Sequence, residues 1–320
     1  MITVNDKQLL IDSVFSGGEL NIKLPDLDLK KGDIVKIDCR GVDPTNLLKI
    51  GLVVNAIRNN YMYLNPEVQL HIPYFPYARQ DRVCRFGEVY GLEFAMDYLH
   101  NLNLAKISTC DVHSDIFFKI RSDKQYSEMV SYCYIDSISY IQNIFSVLGN
   151  KTNLIVVLPD SGSVLRHSNT KSELKNYGCR YGDMYGSSLG GILGESINWI
   201  KKLPNPLKCN KNREQSKVIS EINVSDNLLE LSNNFNLDFL IVDDICDGGA
   251  TFISTVDALK KALPHLFSRG KVDITLFVTH GIFRNGTDAL YDSGITRIIT
   301  TDSIPQNLSN HKGDFNVFKI

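Results

Sequence analysis

The chain lacks an excess of charge of either sign. Its 320 residues include 34 Lys and Arg against 36 Asp and Glu, for a formal net charge of −2. Proteins whose main partner is nucleic acid usually carry a marked basic excess, so this balance argues against a nucleic-acid partner. Local basic sites for small phosphorylated ligands stay compatible with it.

Paired cysteine motifs and long apolar runs are missing. The seven cysteines are odd in number and form no Cys-x-x-Cys pair, so the sequence predicts neither a disulfide framework nor a zinc site. No run of about 18 apolar residues occurs, and the opening stretch lacks a basic segment followed by an apolar one. We therefore expect a soluble protein of a reducing cytoplasm, with no membrane partner.

Short apolar runs instead alternate with amphipathic segments. Several runs are apolar almost throughout, as in strands that are covered on both faces. The predicted strands are 33–38, 68–75, 105–112, 153–160, 238–244 and 272–281. The predicted helices are 45–60, 91–102, 137–149 and 251–263. Such alternation predicts an α/β fold with mainly parallel sheets.

The alternation occurs twice along the chain, which predicts two domains, 1–148 and 149–320. One segment, 167–237, departs from the pattern because it is polar, rich in Gly and Asn, and contains a basic stretch at 207–217. Long irregular segments in compact enzymes are more often mobile lids than scaffold. We therefore predict a lid here.

An apolar run that ends in acids and glycines, LDFLIVDDICDGGATFISTVDALKKAL (237–263), carries the clearest chemistry. A strand, a glycine turn and a helix place backbone N–H groups and a positive helix N-terminus at one edge, where a phosphate binds. The adjacent carboxylates can accept hydrogen bonds from vicinal sugar hydroxyls. The predicted sugar-phosphate site comprises Asp243, Asp244, Asp247, Gly248, Gly249, Ala250 and Thr251. The alternative is an Asp-rich turn in which Thr251 is a simple helix N-cap.

This stretch resembles the phosphoribosyl-diphosphate signature shared by phosphoribosyltransferases and ribose-phosphate diphosphokinases. Further segments, in the family's order, favour the second family over a plain phosphoribosyltransferase. They are IPYFPYARQDR (72–82), CDVHSDIFF (110–118), LPDSGSVLR (158–166), NKNRE (210–214) and VTHGIF (278–283). The resemblance spans nearly the whole chain. It implies an α/β protein of two phosphoribosyltransferase-like domains, each a mainly parallel sheet flanked by helices.

The resemblance also implies a reaction. The family transfers the β,γ-diphosphoryl group of ATP to the anomeric hydroxyl of ribose 5-phosphate, giving 5-phosphoribosyl 1-diphosphate and AMP, and it requires Mg²⁺. His113 and Asp160 would hold the metal, and Lys211 and Arg213 would stabilise the charge of the transition state. The implied ATP platform consists of Arg79, Gln80, Asp81 and Arg82. Taken alone, these motifs also fit a surface salt-bridge cluster, a structural histidine and a solvated basic loop.

A loop near the start of the chain bears on assembly. In the family this loop reaches the adenine held by a neighbouring subunit, so the resemblance implies a homo-oligomer, from dimer to hexamer. Phe15 and Glu19 are kept and would supply a stacking face and an acceptor. Gly17 stands where the family has a polar residue, which puts adenine recognition in question.

Two further departures bear on the acceptor. The phosphate loop reads Asp-Gly-Gly-Ala-Thr (247–251), whereas the family has Asp-Thr-x-Gly-Thr, so one hydroxyl donor is lost and room is gained. The segment before the Lys-x-Arg motif is also longer than usual. These changes suit ADP-ribose as an alternative acceptor, giving ADP-ribose pyrophosphate in NAD metabolism, or they weaken binding of the ordinary acceptor. A third alternative is an inactive regulatory homologue.

Overall fold

The computed structural model describes residues 1–124, 131–135, 144, 147–148, 154–160, 207–214, 217–222, 224, 226–270 and 272–320. The chain divides into two units. The first is Met1–Ser139 with 301–306 and 319–320, and the second is 140–300 with 307–318. The sequence-based division at 148/149 stays a prediction.

The first unit is built on a six-stranded sheet. Its strands are β1 (Ile2–Val4), β2 (Lys7–Gln8), β5 (Ile34–Cys39), β6 (Glu67–His71), β7 (Lys106–Cys110) and β8 (Ser131–Ile135), in the order β2-β1-β5-β6-β7-β8. Strands β5 to β8 are parallel, whereas β1 pairs antiparallel with β5. The helices are α1 (Asn46–Tyr61), α2 (Gly91–Asn101) and α3 (Ile116–Asp123), and a separate hairpin consists of β3 (Leu10–Val14) and β4 (Leu20–Lys23).

Side-chain periodicity explains these elements. Strand β5 buries Val35, Ile37 and Cys39 at alternate positions, as a strand does when one face meets a core. Helix α1 buries Ile50 and Val54 one turn apart, together with other apolar residues of the same face. Both sets belong to one hydrophobic core. This core holds the sheet in place and so positions the loops that follow its strands.

The second unit is built on a seven-stranded sheet. Its strands are β9 (Leu154–Leu158), β10 (Leu207–Glu214), β11 (Lys217–Ile222), β12 (Asp238–Cys246), β13 (Ile274–Gly281), β14 (Arg297–Thr301) and β15 (Asp314–Phe318). They follow the order β11-β10-β9-β12-β13-β14-β15, with β10, β9, β12, β13 and β14 parallel. The helices are α4 (Asp226–Asn234), α5 (Ala250–Ala262), α6 (Pro264–Ser268) and α7 (Asp288–Asp292). All eight residues of β13 are buried, as expected for a strand covered on both faces.

The predicted α/β class is confirmed, and so are the six predicted strands and three of the four predicted helices. The fourth helix, 137–149, lies largely outside the described residues, of which 144 and 147–148 are helical. The prediction that 167–237 is irregular was wrong for its second half, which forms β10, β11 and α4. The stretch 167–206 lies outside the described residues. Among the described residues, no helix combines the length and apolarity needed to cross a bilayer.

Candidate active site

Most predicted site residues lie at the carboxyl edge of one of the two sheets. Ligands of parallel α/β folds bind at this edge. In the first unit, the segment 79–82 follows β6 and His113 follows β7. In the second unit, Asp160 follows β9, and the acidic stretch 243–247 closes β12.

The loop between β12 and α5 has the geometry of a phosphate cradle. Gly249 is the residue that precedes the helix, and its φ of +84° is left-handed, which favours glycine. A Cβ added there would lie 3.1 Å from Leu290 Cδ2. Thr251 is the second residue of the helix, so the alternative that made Thr251 the N-cap is wrong. The N–H of Phe252 donates to the Gly249 carbonyl at 3.0 Å. The N–H groups of Ala250 and Thr251 come before it in the first turn, at the position where helix N–H groups can bind an anion.

Two carboxylates are buried at the end of β12. Asp243 is 6% exposed and Asp244 is 2% exposed, and the backbone N–H of Asp244 donates to Asp243 Oδ1 at 3.0 Å. Burial, reinforced by the negative charges of Asp243 and Asp247, raises the pKa of the Cys246 thiol. The end of β12 thus places two buried carboxylates beside a loop of backbone N–H donors. A ligand that combines hydroxyl groups with a phosphate matches both features.

The loop after β13, which the sequence analysis did not single out, is hydrogen-bonded to the β12–α5 loop. After β13, the N–H groups of Ile282 and Phe283 donate to the Cys246 carbonyl at 2.9 and 3.0 Å, and that of Arg284 donates to the Asp247 carbonyl at 3.0 Å. Asn285 Nδ2 donates to the Gly248 carbonyl at 3.3 Å. The sequence could have indicated these residues only by their position, since 284–285 directly follow the strand segment VTHGIF.

Lys211 and Arg213 lie on a strand, which corrects the expectation of an irregular loop. They belong to β10 and pair with Ser220 and Val218 of β11. β10 joins the sheet beside β9 through the pair Leu207 and Val157. Both basic residues come later in β10 than this pair, toward the carboxyl edge. The hairpin was not predicted because LKCNKNRE has few apolar residues. Its strand conformation comes with the hydrogen-bonded pairing to β11 instead.

In the first unit, Asp81 joins two predicted segments. Its carboxylate accepts a hydrogen bond from Ser114 Oγ at 2.7 Å and one from Arg82 Nε at 3.0 Å. Burial opposes ionisation of Asp81, but these two hydrogen bonds prevail and lower its pKa. An ionised Asp81 therefore fixes the platform beside His113. One ion pair of the simpler interpretation does form, between Arg82 and Asp81, yet the Arg82 side chain stays 74% exposed.

Gly91 is a second residue that sequence reasoning missed. The N–H of Leu92 donates to the Gln80 carbonyl at 3.1 Å, which draws the platform onto the start of α2. A Cβ at Gly91 would lie 2.3 Å from Gln80 Oε1 and 2.8 Å from Tyr77 Cδ1. A larger residue at this position would therefore require the side chains of Gln80 and Tyr77 to move. Arg79 and Gln80 themselves are exposed.

The predicted metal ligands lie in different units, and both are partly buried. Among the described residues, no group of three or more His, Cys, Asp and Glu side chains is arranged to hold a metal. The Asp160 carboxylate is the hard oxygen donor that Mg²⁺ prefers, and Mg²⁺ commonly keeps several waters and takes one or two protein ligands. The imidazole of His113 is a softer donor and suits contact through such a water.

Phe15 and Glu19 lie at the tip of the β3–β4 hairpin. The N–H of Phe15 donates to the Glu19 carbonyl at 2.9 Å, and the N–H of Gly18 donates to the Phe15 carbonyl at 2.8 Å. The Phe15 side chain is 58% exposed. The tip thus presents an aromatic face and a carboxylate to solvent.

Two mainly parallel sheets, with an acidic strand end and a glycine loop in the second, define a phosphoribosyltransferase-like α/β protein. No family model matches the chain. It is 24% identical over 298 residues to the ribose-phosphate pyrophosphokinase of Haemophilus ducreyi, covering 91% of the chain and 77% of that relative. It is 25% identical over 300 residues to the enzyme of the same name from Coxiella burnetii, covering 92% and 77%.

A crystal structure of phosphoribosylpyrophosphate synthetase from Mycobacterium smegmatis has the same fold. Its TM-score is 0.64 at 19% identity, and the match covers 100% of this chain and 86% of that one. The chain is thus a relative of the ribose-phosphate pyrophosphokinases, another name for the diphosphokinase family that its motifs predict. The recognition of the family is confirmed, and the predicted enzyme class is the class of these relatives.

Proposed function

We propose that the chain transfers the β,γ-diphosphoryl group of ATP to the anomeric hydroxyl of ribose 5-phosphate, giving 5-phosphoribosyl 1-diphosphate and AMP. One observation carries the proposal. Two buried carboxylates, Asp243 and Asp244, end a strand directly before a loop whose left-handed Gly249 opens a helix. The names of the similar proteins support the reaction.

The acceptor would bind in the second unit. Its phosphate would accept hydrogen bonds from the backbone N–H groups of residues 248–251, and the Thr251 hydroxyl would add a donor. The Asp243 and Asp244 carboxylates would accept hydrogen bonds from the ribose hydroxyls. Because the two acids lie on a strand within the sheet, the sugar would be held in one orientation, which lowers the entropic cost of the reaction.

ATP would bind through the platform of the first unit, with Arg79 and Arg82 contacting phosphate oxygens. The anomeric oxygen then bonds to the β-phosphorus while the bond from the β-phosphorus to the α,β-bridging oxygen breaks. AMP leaves with that oxygen, and the hydroxyl proton is lost. Lys211 and Arg213 would stabilise the charge on the transferred group. His113 and Asp160 would hold Mg²⁺, which would neutralise part of the triphosphate charge.

ADP-ribose is a second candidate acceptor, giving ADP-ribose pyrophosphate in NAD metabolism. The observation that favours it is the rim of the phosphate loop. Ala250 brings no hydroxyl there, and the Arg284 side chain, 70% exposed, adds a cation beside Asp247. The pyrophosphate of ADP-ribose spreads its charge over two phosphate groups, so it could contact both the N–H groups of the loop and the Arg284 guanidinium.

Assembly and compartment belong to the same proposal. The exposed aromatic tip at Phe15 supports a homo-oligomer in which this hairpin contacts a neighbouring copy. Cys39, Cys84, Cys110 and Cys246 are free thiols. Free thiols suit the reducing cytoplasm that the sequence predicts.

Release of AMP tests the proposal. Purified chain with Mg-ATP is expected to form AMP when ribose 5-phosphate or ADP-ribose is added, and not when unphosphorylated ribose is added. Asp243→Asn is expected to lower kcat/KM for the acceptor by about tenfold or more, because an amide accepts the sugar hydroxyl less strongly than a carboxylate. Absence of AMP with both acceptors would favour the inactive regulatory homologue instead.

A further inference from the structure

The loop after β13 places an arginine side chain, that of Arg284, beside the loop between β12 and α5, which is the phosphate cradle. Arg284 Nε lies 3.5 Å from Asp247 Oδ1, a separation typical of an ion pair and too long for a strong hydrogen bond. The Arg284 side chain is 70% exposed. A guanidinium has five N–H donors, so contact with one carboxylate oxygen leaves others to bind a second anion.

The backbone fixes where this cation lies. Hydrogen bonds from Ile282, Phe283 and Arg284 to the carbonyls of Cys246 and Asp247 hold the two loops side by side. The position of the Arg284 Cα is therefore set by the same strand ends that set the cradle. Only the side chain keeps freedom to adjust to a ligand.

Gly248 shows how close the guanidinium comes to the N–H donors. A Cβ added at Gly248 would lie 3.5 Å from an Arg284 terminal nitrogen and 3.2 Å from Asn285 Nδ2. Gly248 is also the start of the N–H run that opens α5. A phosphate held by that run is consequently within reach of the Arg284 side chain.

We propose that Arg284 is an acceptor-recognition residue, whose guanidinium, held in place by Asp247, binds the phosphate on C5 of the ribose acceptor. This inference rests on the proposed function, because it takes the cradle to be the acceptor site. The same chemistry is offered by the monoester of ribose 5-phosphate and by the pyrophosphate of ADP-ribose. Asp247 thus acts as a positioning residue for Arg284.

Calorimetric titration without ATP tests the contact directly. Ribose 5-phosphate, ADP-ribose and ribose are titrated into the wild-type chain and into Arg284→Ala, Arg284→Lys and Lys312→Ala. Lys312 is a matched control, since it is an exposed cation of the same unit that pairs with Asp288. Arg284→Ala is expected to weaken binding of phosphorylated acceptors by about tenfold or more, the usual effect of losing a charge-assisted hydrogen bond. Arg284→Lys should recover part of the loss, and Lys312→Ala should change little.

Comparison of the acceptors locates the phosphate. Equal loss for both assigns Arg284 to the phosphate that they share, and a larger loss for ADP-ribose assigns it to the second phosphate. Unchanged affinity for both, a loss confined to ADP-ribose, or an equal loss for ribose overturns the inference. Thermal melting of Arg284→Ala shows whether the variant is folded.

Turnover separates this inference from the function on which it rests. If the wild-type chain binds both acceptors in an Arg284-dependent way and forms no AMP, the reaction is wrong and the contact stands. If it forms AMP and Arg284→Ala keeps the wild-type KM for the acceptor, the contact alone is wrong. Failure of the wild-type chain both to bind either phosphorylated acceptor and to form AMP overturns both.

Discussion

At the scale of the residue, the candidate acceptor site depends on Gly249. Its left-handed backbone turns the chain from β12 into α5, and Leu290 fills the space that a side chain would need. The same residue therefore serves the fold and the phosphate loop. Asp243 and Asp244 of the same site could be recognised from the sequence. Acids that end a buried apolar strand are costly to bury, so they usually have a function. Arg284 could not, since one arginine in a polar loop carries no pattern.

Gly249→Ala is expected to lower the free energy of unfolding by about 1–2 kcal/mol or more, since an L-residue at this φ is strained and its Cβ would press on Leu290. Gly270→Ala is the matched control. Gly270 has a similar φ of +73°, and nothing lies within 4 Å of an added Cβ. Urea unfolding of both variants measures the difference. Equal losses would show that the contact with Leu290 contributes nothing.

At the scale of the element, periodicity predicted six strands and three helices that bury apolar residues, whereas β14 and α3, which also bury apolar residues, were not predicted. Strands β12 and β13 are apolar almost throughout, so they were found with nearly their full length. The hairpin β10–β11 was missed because its strands form by pairing with each other. Such pairing produces no periodic pattern in a polar sequence. The small strands β1 and β2 were missed for lack of length.

The position of the basic motif on β10 gives a prediction for catalysis. Lys211→Ala and Arg213→Ala are each expected to lower kcat by about 100-fold or more, as loss of a transition-state cation does, while binding of the acceptor is retained. Lys208→Ala is the control, because Lys208 lies on the same strand at an odd separation from Lys211 and Arg213, and successive residues of a strand alternate between the two faces of the sheet. Single-turnover kinetics and calorimetry separate the two effects. If all three variants behave alike, Lys211 and Arg213 have no special role.

At the scale of the whole molecule, residues 301–306 and 319–320 return to the first unit. Arg40 anchors them, since its guanidinium donates to the carbonyls of Asp302 and Ile320 and pairs with Asp38 at 2.8 Å. His71, whose ring accepts or donates a hydrogen bond with Ser108 Oγ at 2.8 Å, lies near the same charges. No pattern in the sequence linked these distant segments.

This cluster predicts how stability depends on pH. Burial lowers the pKa of His71 below its ordinary value near 6.5, although Asp38 opposes the shift. The unfolded chain then binds a proton before the folded one does, so the free energy of unfolding decreases as pH falls below about 6.5. His71→Gln is expected to lose less stability between neutral and mildly acidic pH, as measured by urea unfolding. An identical pH profile would mean that His71 is not responsible.

The path of the chain between its two units has a practical consequence. The backbone passes from one unit to the other after residues 139, 300, 306 and 318. Because of this interleaving, no single cut in the gene yields two complete halves. A fragment that stops before residue 301 would deprive Arg40 of Asp302 and Ile320. Anyone who wishes to express either unit alone would have to graft the missing tail segments back through an engineered linker.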